Sequence, residues 1–202
     1  MGSQDIDGRL QELFDKEEIR DRLARYCRGV DRSDAEEISQ AFHADAMADH
    51  GHVFFTGDDI GEVLVSMFDP GNATNVHFIG NVIVEIDGDE AYSEAYLLDT
   101  VERERDGTTY LLTRSARFVD RWERRGGRWG IVYRRVVDSW NRVDPVTERW
   151  PGADRFLLAE RGRGDAAYAI RTAERTRPPG ATEGREFVER MKAAGFSTGE
   201  RR

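Results

Sequence analysis

The amino-acid sequence predicts an α+β fold in which a strongly curved antiparallel sheet wraps against N-terminal helices. Apolar residues recur at helical spacing early in the chain, as at Ile19, Leu23 and Val30. Long stretches rich in β-branched and aromatic residues follow, and the turns Asp87-Gly88 and Gly126-Gly127 join them in pairs. Helices followed by strands that are connected through tight turns are typical of an α+β domain.

The composition indicates one globular domain with an appendage. The chain has 202 residues, of which 39% are hydrophobic and 34% are charged. No apolar run approaches the length that spans a bilayer, and the first residues lack the basic and apolar segments of a signal peptide. The single cysteine, Cys27, has no intramolecular disulfide partner. We therefore expect a cytoplasmic protein.

The charge is unevenly distributed along the chain. The net charge is −9; residues 1–143 carry 29 acidic and 18 basic residues, whereas residues 144–202 carry 10 acidic and 12 basic residues. A nucleic-acid-binding surface needs concentrated basic residues, so the acidic body argues against that class of partner. The expected partners are a small-molecule substrate and further copies of this chain, with no nucleic acid and no membrane.

The N-terminal region predicts three helices. A short amphipathic helix comes first, and a second begins at Asp15, which can form a capping box with Glu18. A third helix begins after Ser33, because Ser33 and Glu36 have the spacing of another capping box. Asp31 then lies in the short corner between the second and third helices.

The middle of the chain predicts the strands. Residues 46–55 form one strand or two short ones around a small loop, and residues 58–68 form an amphipathic helix that ends at a Pro-Gly turn. A hairpin covers residues 75–98, and two long strands follow at 108–124 and 128–143. Strands of about fifteen residues are much longer than usual, so we expect bends and bulges in them.

The first arm of the hairpin carries the leading candidate for chemistry, His77. Because side chains alternate along a strand, we expect one face to hold Asn75, His77, Ile79 and Asn81, and the other to hold Val76, Phe78, Val82 and Val84. A histidine between polar neighbours, with an apolar reverse face, indicates the functional side of a curved sheet.

Other reactive groups do not form a recognisable site. His50 and His52 alternate as in some metal-binding strands, but the further ligands of that pattern are missing, which favours a solvent-exposed loop. The sequence contains no G-x-S-x-G motif, no glycine-rich phosphate loop and no C-x-x-C motif. Cys27 lies on the apolar stripe of a helix, as a core residue does. We expect neither a metal nor a cofactor.

Three segments resemble one known family in their order and spacing. They are Arg25-Tyr26-Cys27-x-x-x-Asp31-Arg32, then His77-x-x-Gly80-Asn81, and then Gly126-Gly127-x-Trp129 with Arg134 and Asp138-x-Trp140 behind it. Together they resemble the SnoaL-like branch of the nuclear transport factor two superfamily, over about residues 8–142. The resemblance implies a cone-shaped barrel as the domain fold.

Within that superfamily the sequence is similar to hexachlorocyclohexane dehydrochlorinase, bile-acid 7α-dehydratase and scytalone dehydratase, which are cofactor-free lyases. The resemblance implies that Asp31 and His77 form their catalytic pair, with Tyr26 at the position of the dehydratase tyrosine. It also implies that Arg134 is a substrate-binding residue, and Trp140 shares its face of the strand if the alternation is regular. The superfamily includes members without the pair, such as β subunits of ring-hydroxylating dioxygenases.

The residue chemistry is consistent with that assignment. A histidine accepts protons near neutral pH, and a carboxylate on its other ring nitrogen fixes the tautomer and offsets the imidazolium charge. A tyrosine or arginine can stabilise negative charge that develops on an oxygen or a leaving group. Taken singly, His77, Asp31 and Tyr26 have structural interpretations as a rim histidine, a helix-corner carboxylate and a core tyrosine. Their combination favours catalysis.

The sequence therefore predicts a cofactor-independent lyase of the dehydratase or dehydrohalogenase type. Its substrate would be a small, largely apolar molecule with an aromatic or steroid-like body. Cleavage of a C–C bond or a double-bond shift by the same base is the near alternative. The alternative of another class is a non-catalytic ligand-binding barrel, or the small subunit of a ring-hydroxylating oxygenase.

Residues 144–202 exceed what the predicted domain of residues 1–143 needs. Their large apolar side chains are costly to expose to water, namely Trp150, Phe156, Leu157, Leu158, Tyr168 and Ile170. We expect residues 150–170 to pack on the acidic body, over the pocket, or across the subunit boundary of a homotrimer or homodimer. The end of this extension is expected to be flexible.

Overall fold

A computed structural model describes residues 3–67, 72–150, 153–170, 172–175 and 180–194 of the chain. The N-terminal helices and the helix inserted between early strands are α1 Ser3–Arg32, α2 Ala35–Ser39 and α3 Ile60–Met67. The strands are β1 Phe42–Asp49, β2 Phe54–Thr56, β3 Asn72–Asp87, β4 Glu90–Arg105, β5 Thr108–Arg125 and β6 Arg128–Pro145. Among the described residues, no helix combines the length and the apolar character needed to cross a membrane.

The six strands form one sheet in the order β2-β1-β6-β5-β4-β3. All neighbours are antiparallel except β1 and β6, which run parallel. The α+β class, with a curved sheet against N-terminal helices, is confirmed. The sheet does not close, since β2 and β3 remain its two edges. The predicted barrel is thus an open cone.

A bulge in β3 changes which side chains face inward. One extra residue lies between Ile79 and Val82, where the pairing with β4 shifts register. The extra residue reverses the alternation, so Val84 is buried and Val82 packs against the core. Val76 and Phe78 are exposed on the outer face. The prediction that Val76, Phe78, Val82 and Val84 share one face of the strand was therefore wrong, because it assumed regular alternation.

Helix α1 runs without a break through Asp15, where the sequence predicted a helix start. The Asp15 carboxylate is buried and accepts a hydrogen bond from Trp129 Nε1 at 3.0 Å. It also pairs with the Arg124 guanidinium at 3.1 Å. The predicted cap was wrong, because this carboxylate serves a tertiary contact to the β5–β6 hairpin.

The corner after α1 differs from the prediction by one residue. Asp34, rather than Ser33, caps α2 by accepting a hydrogen bond from the Glu37 backbone N–H at 3.2 Å. Ser33 has a positive φ of 55° and its hydroxyl accepts a hydrogen bond from Arg161 at 2.9 Å. Asp31 lies in the last turn of α1, directly before this corner.

An ion pair between Arg134 and Asp120 lies at the centre of the core. Both side chains are completely buried, and two hydrogen bonds of 2.8 Å join them. The guanidinium carbon lies 4.5 Å from the Tyr26 ring centroid, 5.3 Å from that of Phe42 and 4.0 Å from that of Phe118. The pair therefore connects α1, β1, β5 and β6.

Residues 153–168 belong to the same compact unit as the sheet and the first helices. They contact the corner after α1 through polar groups: Arg32 donates a hydrogen bond to Asp165 at 3.0 Å, and the Tyr168 hydroxyl donates one to Asp34 at 3.0 Å. Large apolar side chains stay exposed in the single chain, namely Trp150 just before this segment and Phe156, Leu157 and Leu158 within it. Their burial against another subunit stays a prediction.

Residues 169–202 form a second compact unit. Its main element is a helix, Gly184–Ala193, which the Glu183 side chain caps through the backbone N–H groups of its first turn. The predicted flexible end falls on residues 195–202, which lie outside the described residues.

The buried ion pair yields the first prediction. Substitution Asp120→Asn leaves the Arg134 charge without its buried counter-ion, which should lower the free energy of unfolding by about 3–5 kcal/mol. The double substitution Asp120→Leu with Arg134→Met removes both charges, so it should recover most of this loss. Urea denaturation followed by circular dichroism measures both effects. Equal stability of Asp120→Asn and the unsubstituted protein would contradict a structural role for the pair.

Candidate active site

The end of α1 and the inner face of β3 bring Asp31 and His77 together. His77 Nδ1 lies 2.6 Å from Asp31 Oδ1. The two side chains are 19% (Asp31) and 7% (His77) exposed. The backbone N–H of His77 also lies 3.1 Å from each carboxylate oxygen. Strand β3 thus presents two donors of one residue to a single carboxylate, which fixes the imidazole in position.

This contact also determines the tautomer of the neutral imidazole. An ionised carboxylate only accepts hydrogen bonds, so Nδ1 carries the proton and the neutral ring keeps a lone pair on Nε2. Asp31 lies at the C-terminal end of α1, where the helix dipole disfavours negative charge. A positive charge on His77 therefore stabilises the negative charge of the Asp31 carboxylate. The pair has the geometry of a general base with an orienting acid.

His77 forms part of the wall of a cavity of about 390 Å³. This volume suits one small molecule. Much of the lining is apolar and comes from α1, β2, α3 and β5, with Val30, Phe55, Leu64, Leu112 and Phe118 as examples.

Tyr26 lines the same cavity, as the sequence resemblance implied. Its ring meets those of Phe42 and Phe118 edge to face, each at a centroid distance of 5.7 Å. Burial raises the pKa of the Tyr26 hydroxyl, although the Arg134 guanidinium opposes the shift. Tyr26 is therefore a neutral phenol near pH 7 and can donate a hydrogen bond to a bound molecule.

The structure does not place Arg134 in the cavity, where the sequence resemblance expected a substrate-binding arginine. Its guanidinium lies against the ring of Tyr26 and is held by Asp120 in the core. The residue therefore contacts the cavity wall from behind, and its charge is already compensated.

Trp140, which was also predicted to bind the substrate, does not line the cavity either. The pairing of β5 with β6 shifts register between Ala116, which pairs with Asp138, and Ser115, which pairs with Trp140. This bulge leaves Asp138 in the cavity lining and turns Trp140 away from it, at 51% exposure. Regular alternation, on which the prediction relied, fails at that point.

Two charged residues that lie beside His77 in the cavity, Asp99 and Arg114, were not predicted from the sequence. Asp99 pairs with His77 across the β3–β4 ladder, and Arg114 pairs with Asp99 across the β4–β5 ladder. Asp99 Oδ2 lies 3.8 Å from His77 Nε2 and 3.1 Å from the Arg114 guanidinium. Burial raises the pKa of the Asp99 carboxyl, while Arg114 and His77 act in the opposite direction. A row of charged side chains thus crosses the sheet.

His50 lines the cavity as well, so the expectation of a solvent-exposed loop was wrong for this residue. Its ring meets Phe55 edge to face at 5.0 Å. Burial lowers the pKa of His50 to about 4, and the positive charges of Arg134 and Arg114 act in the same direction. The imidazole is neutral near pH 7. Among the described residues, no group of three or more His, Cys, Asp or Glu side chains is arranged to hold a metal.

The pKa of His50 yields a pH prediction. In the unfolded chain His50 binds a proton at about pH 6.5, whereas in the folded protein it does so only at about 4. As the pH falls from 6.5 to 4, the unfolded state gains a proton first, so the folded state loses up to about 3 kcal/mol. Substitution His50→Gln should remove this part of the acid sensitivity. Urea midpoints at several pH values measure it, with His52→Gln as the control; an unchanged pH dependence in His50→Gln would contradict the prediction.

The fold recurs in solved structures of low sequence identity. A type 2 hexachlorocyclohexane dehydrochlorinase matches with a TM-score of 0.63 at 18% identity, covering 71% of this chain and 98% of its own. A scytalone-dehydratase-like protein from Novosphingobium aromaticivorans matches with a TM-score of 0.58 at 16% identity, covering 77% and 97%. An aromatic-ring-hydroxylase-like protein from the same organism matches with a TM-score of 0.56 at 21% identity, covering 66% and 94%.

The sequence itself matches a family model. A search among curated proteins finds no match. The model of the SnoaL-like domain matches residues 11–135, which contain most of α1, the sheet up to the first part of β6, and the Asp31–His77 pair. This match spans more than half of the chain and agrees with the fold of the solved structures. The chain belongs to the SnoaL-like domain family.

Proposed function

We propose that this protein is a cofactor-independent lyase that removes a proton from carbon and expels water or halide. The observation that carries the proposal is the 2.6 Å contact between Asp31 and His77 at the wall of a cavity large enough for one small molecule. Because Nδ1 donates to Asp31, His77 Nε2 is left as the proton acceptor. A barrel that only binds a ligand has no need of such an arrangement.

The chemical step follows from the positions of the side chains. His77 Nε2 takes the proton from a carbon next to an electron-withdrawing group, and the C–H electron pair forms the new double bond. The leaving group departs with its own bonding pair, either as halide or as hydroxide, and the hydroxide takes up the proton from the His77 imidazolium and leaves as water. The hydroxyl of Tyr26, which lines the cavity, donates a hydrogen bond to the oxygen or leaving group on which negative charge develops. Asp31 stabilises the imidazolium that results.

The cavity supports a largely apolar substrate with an aromatic or steroid-like body. Aliphatic and aromatic side chains form one side of it, and the charged row of His77, Asp99 and Arg114 forms another. Such a lining binds a hydrophobic skeleton that carries one polar region. Cleavage of a C–C bond, or a double-bond shift, uses the same base and is the near alternative.

A second candidate function is that of a non-catalytic binding protein or an oxygenase small subunit. The likeness to the aromatic-ring-hydroxylase-like protein favours it. Co-purification with a larger iron-containing chain would support this candidate against the lyase.

The proposal is tested by a substrate panel without added cofactor, made of hydroxylated, halogenated and aromatic carbonyl compounds. On any compound that reacts, His77→Gln should lower kcat by about 10²–10⁴-fold, because the general base is lost. Asp31→Asn should cause a loss of similar order, because the amide no longer fixes the tautomer. Asp21→Asn is the matched control, since Asp21 is an exposed residue of the same helix, α1. Full activity of His77→Gln and Asp31→Asn would refute the lyase proposal.

We also propose that the protein is a homodimer or homotrimer that assembles through the outer face of the sheet. That face exposes apolar side chains of β3, β4 and β5, with Val76, Phe78, Tyr96, Leu98 and Val119 between 40% and 66% exposed. Multi-angle light scattering should give two or three times the mass of one chain. Substitution Phe78→Lys should lower it, because a charge is then buried at the interface. A monomeric mass for the unsubstituted protein would contradict the proposal.

A further inference from the structure

Asn75 is a buried polar residue that the chemistry described above does not use. Its side chain lines the cavity, and the residue is 5% exposed. Neither its Oδ1 nor its Nδ2 has a hydrogen-bond partner among the residues that the structure describes. Buried amides are normally satisfied on both atoms, so this pair of free groups requires an explanation.

The surroundings of Asn75 are apolar along its row of the sheet. Asn75 pairs with Val101, Val101 pairs with Leu112, and Leu112 pairs with Val143. All four residues line the cavity. The charged row begins two residues further along β3, at His77, or about 7 Å away along the strand. The amide is thus the polar group of an otherwise hydrophobic strip beside the proposed base.

An unpaired amide in such a strip is unfavourable for folding, because both atoms lose their hydrogen bonds to water. Leucine has nearly the same shape and would suit this row better. Residues that reduce stability in this way are typical of binding sites, where the missing partner is supplied by a ligand. The position of Asn75 inside the cavity points to the same explanation.

We propose that Asn75 is a specificity-determining residue that binds a hydroxyl group of the ligand. A hydroxyl oxygen accepts a hydrogen bond from Nδ2, and the hydroxyl proton is donated to Oδ1, so one small group satisfies both atoms. A carbonyl or ether oxygen only accepts and leaves Oδ1 unpaired. A carboxylate has the same defect, and the nearby carboxylates of Asp31 and Asp99 repel it.

The ligand class is therefore an alcohol or phenol on an apolar ring system, with its ring along the strip of Val101, Leu112 and Val143. This inference deepens the proposed function and rests on it only for the statement that the cavity is the substrate site. The hydroxyl held by Asn75 is a recognition group that the reaction retains, because it lies about 7 Å along β3 from the base.

Equilibrium binding tests the inference without turnover. Calorimetric titration compares naphthol with methoxynaphthalene, which keeps the acceptor and lacks the donor, and with naphthalene, which lacks both. The unsubstituted protein should bind naphthol at least about tenfold more tightly than either analogue, because each analogue leaves Asn75 groups unpaired. In Asn75→Leu the three affinities should agree within about threefold. Asn81→Leu is the matched control on the same strand, since Asn81 is exposed, and it should keep the preference.

The outcomes separate this inference from the lyase proposal. No binding of naphthol, equal binding of the three compounds by the unsubstituted protein, or a preference that survives in Asn75→Leu would overturn the inference. Asn75→Leu should also melt no lower than Asn81→Leu; a lower melting temperature would show that Asn75 makes structural hydrogen bonds. His77→Gln should retain the preference for naphthol, so loss of elimination in that variant tests only the lyase.

Discussion

The contact between the end of α1 and strand β3 is the constraint on which the candidate site depends. Asp31 accepts hydrogen bonds from both the ring and the backbone of His77, so a single carboxylate fixes the helix, the strand and the imidazole relative to one another. Strand β3 is an edge of the open sheet, and this contact joins that edge to the helix. The same interaction therefore stabilises the cone and positions the proposed base, so the geometry of the candidate site depends on the fold being intact.

Charge is distributed in two layers around the cavity. Arg134 and Asp120 compensate each other in the core, behind the ring of Tyr26. Asp99 and Arg114 form a second pair at the surface of the cavity, next to His77. Because each arginine has an acidic partner, neither offers a free positive charge to an anionic substrate. This balance favours a neutral ligand, in agreement with the hydroxyl group inferred at Asn75.

The sequence predicted the elements of the site better than their surroundings. The capping patterns placed Asp31 near a helix corner, and the Asp87-Gly88 turn placed His77 on a strand, so both could be identified. Counting residues back from that turn pairs His77 with Thr100, but the bulge in β3 pairs it with Asp99 instead. The bulge in β6 similarly turns the side chain of Trp140 away from the cavity. Bulges depend on how a long sheet bends over its core. Gly80 lies within the bulge of β3 and is a local sign of one, whereas the bulge in β6 contains no such residue. The role of Asp15 was missed for a related reason, since its partners lie more than a hundred residues away.

The contacts between residues 160–168 and the corner after α1 have a consequence for the order in which the protein is completed. The Gly162 backbone N–H binds the Arg32 carbonyl oxygen, Arg161 binds Ser33, and Asp165 binds Arg32 across 133 positions of sequence. These groups flank Asp31, yet they leave the ribosome after the entire sheet. During synthesis the helix end that carries Asp31 must therefore wait for the C-terminal segment before all of its polar partners are present. A nascent chain whose sheet is complete still lacks the contacts that hold Arg32 and Ser33 beside Asp31.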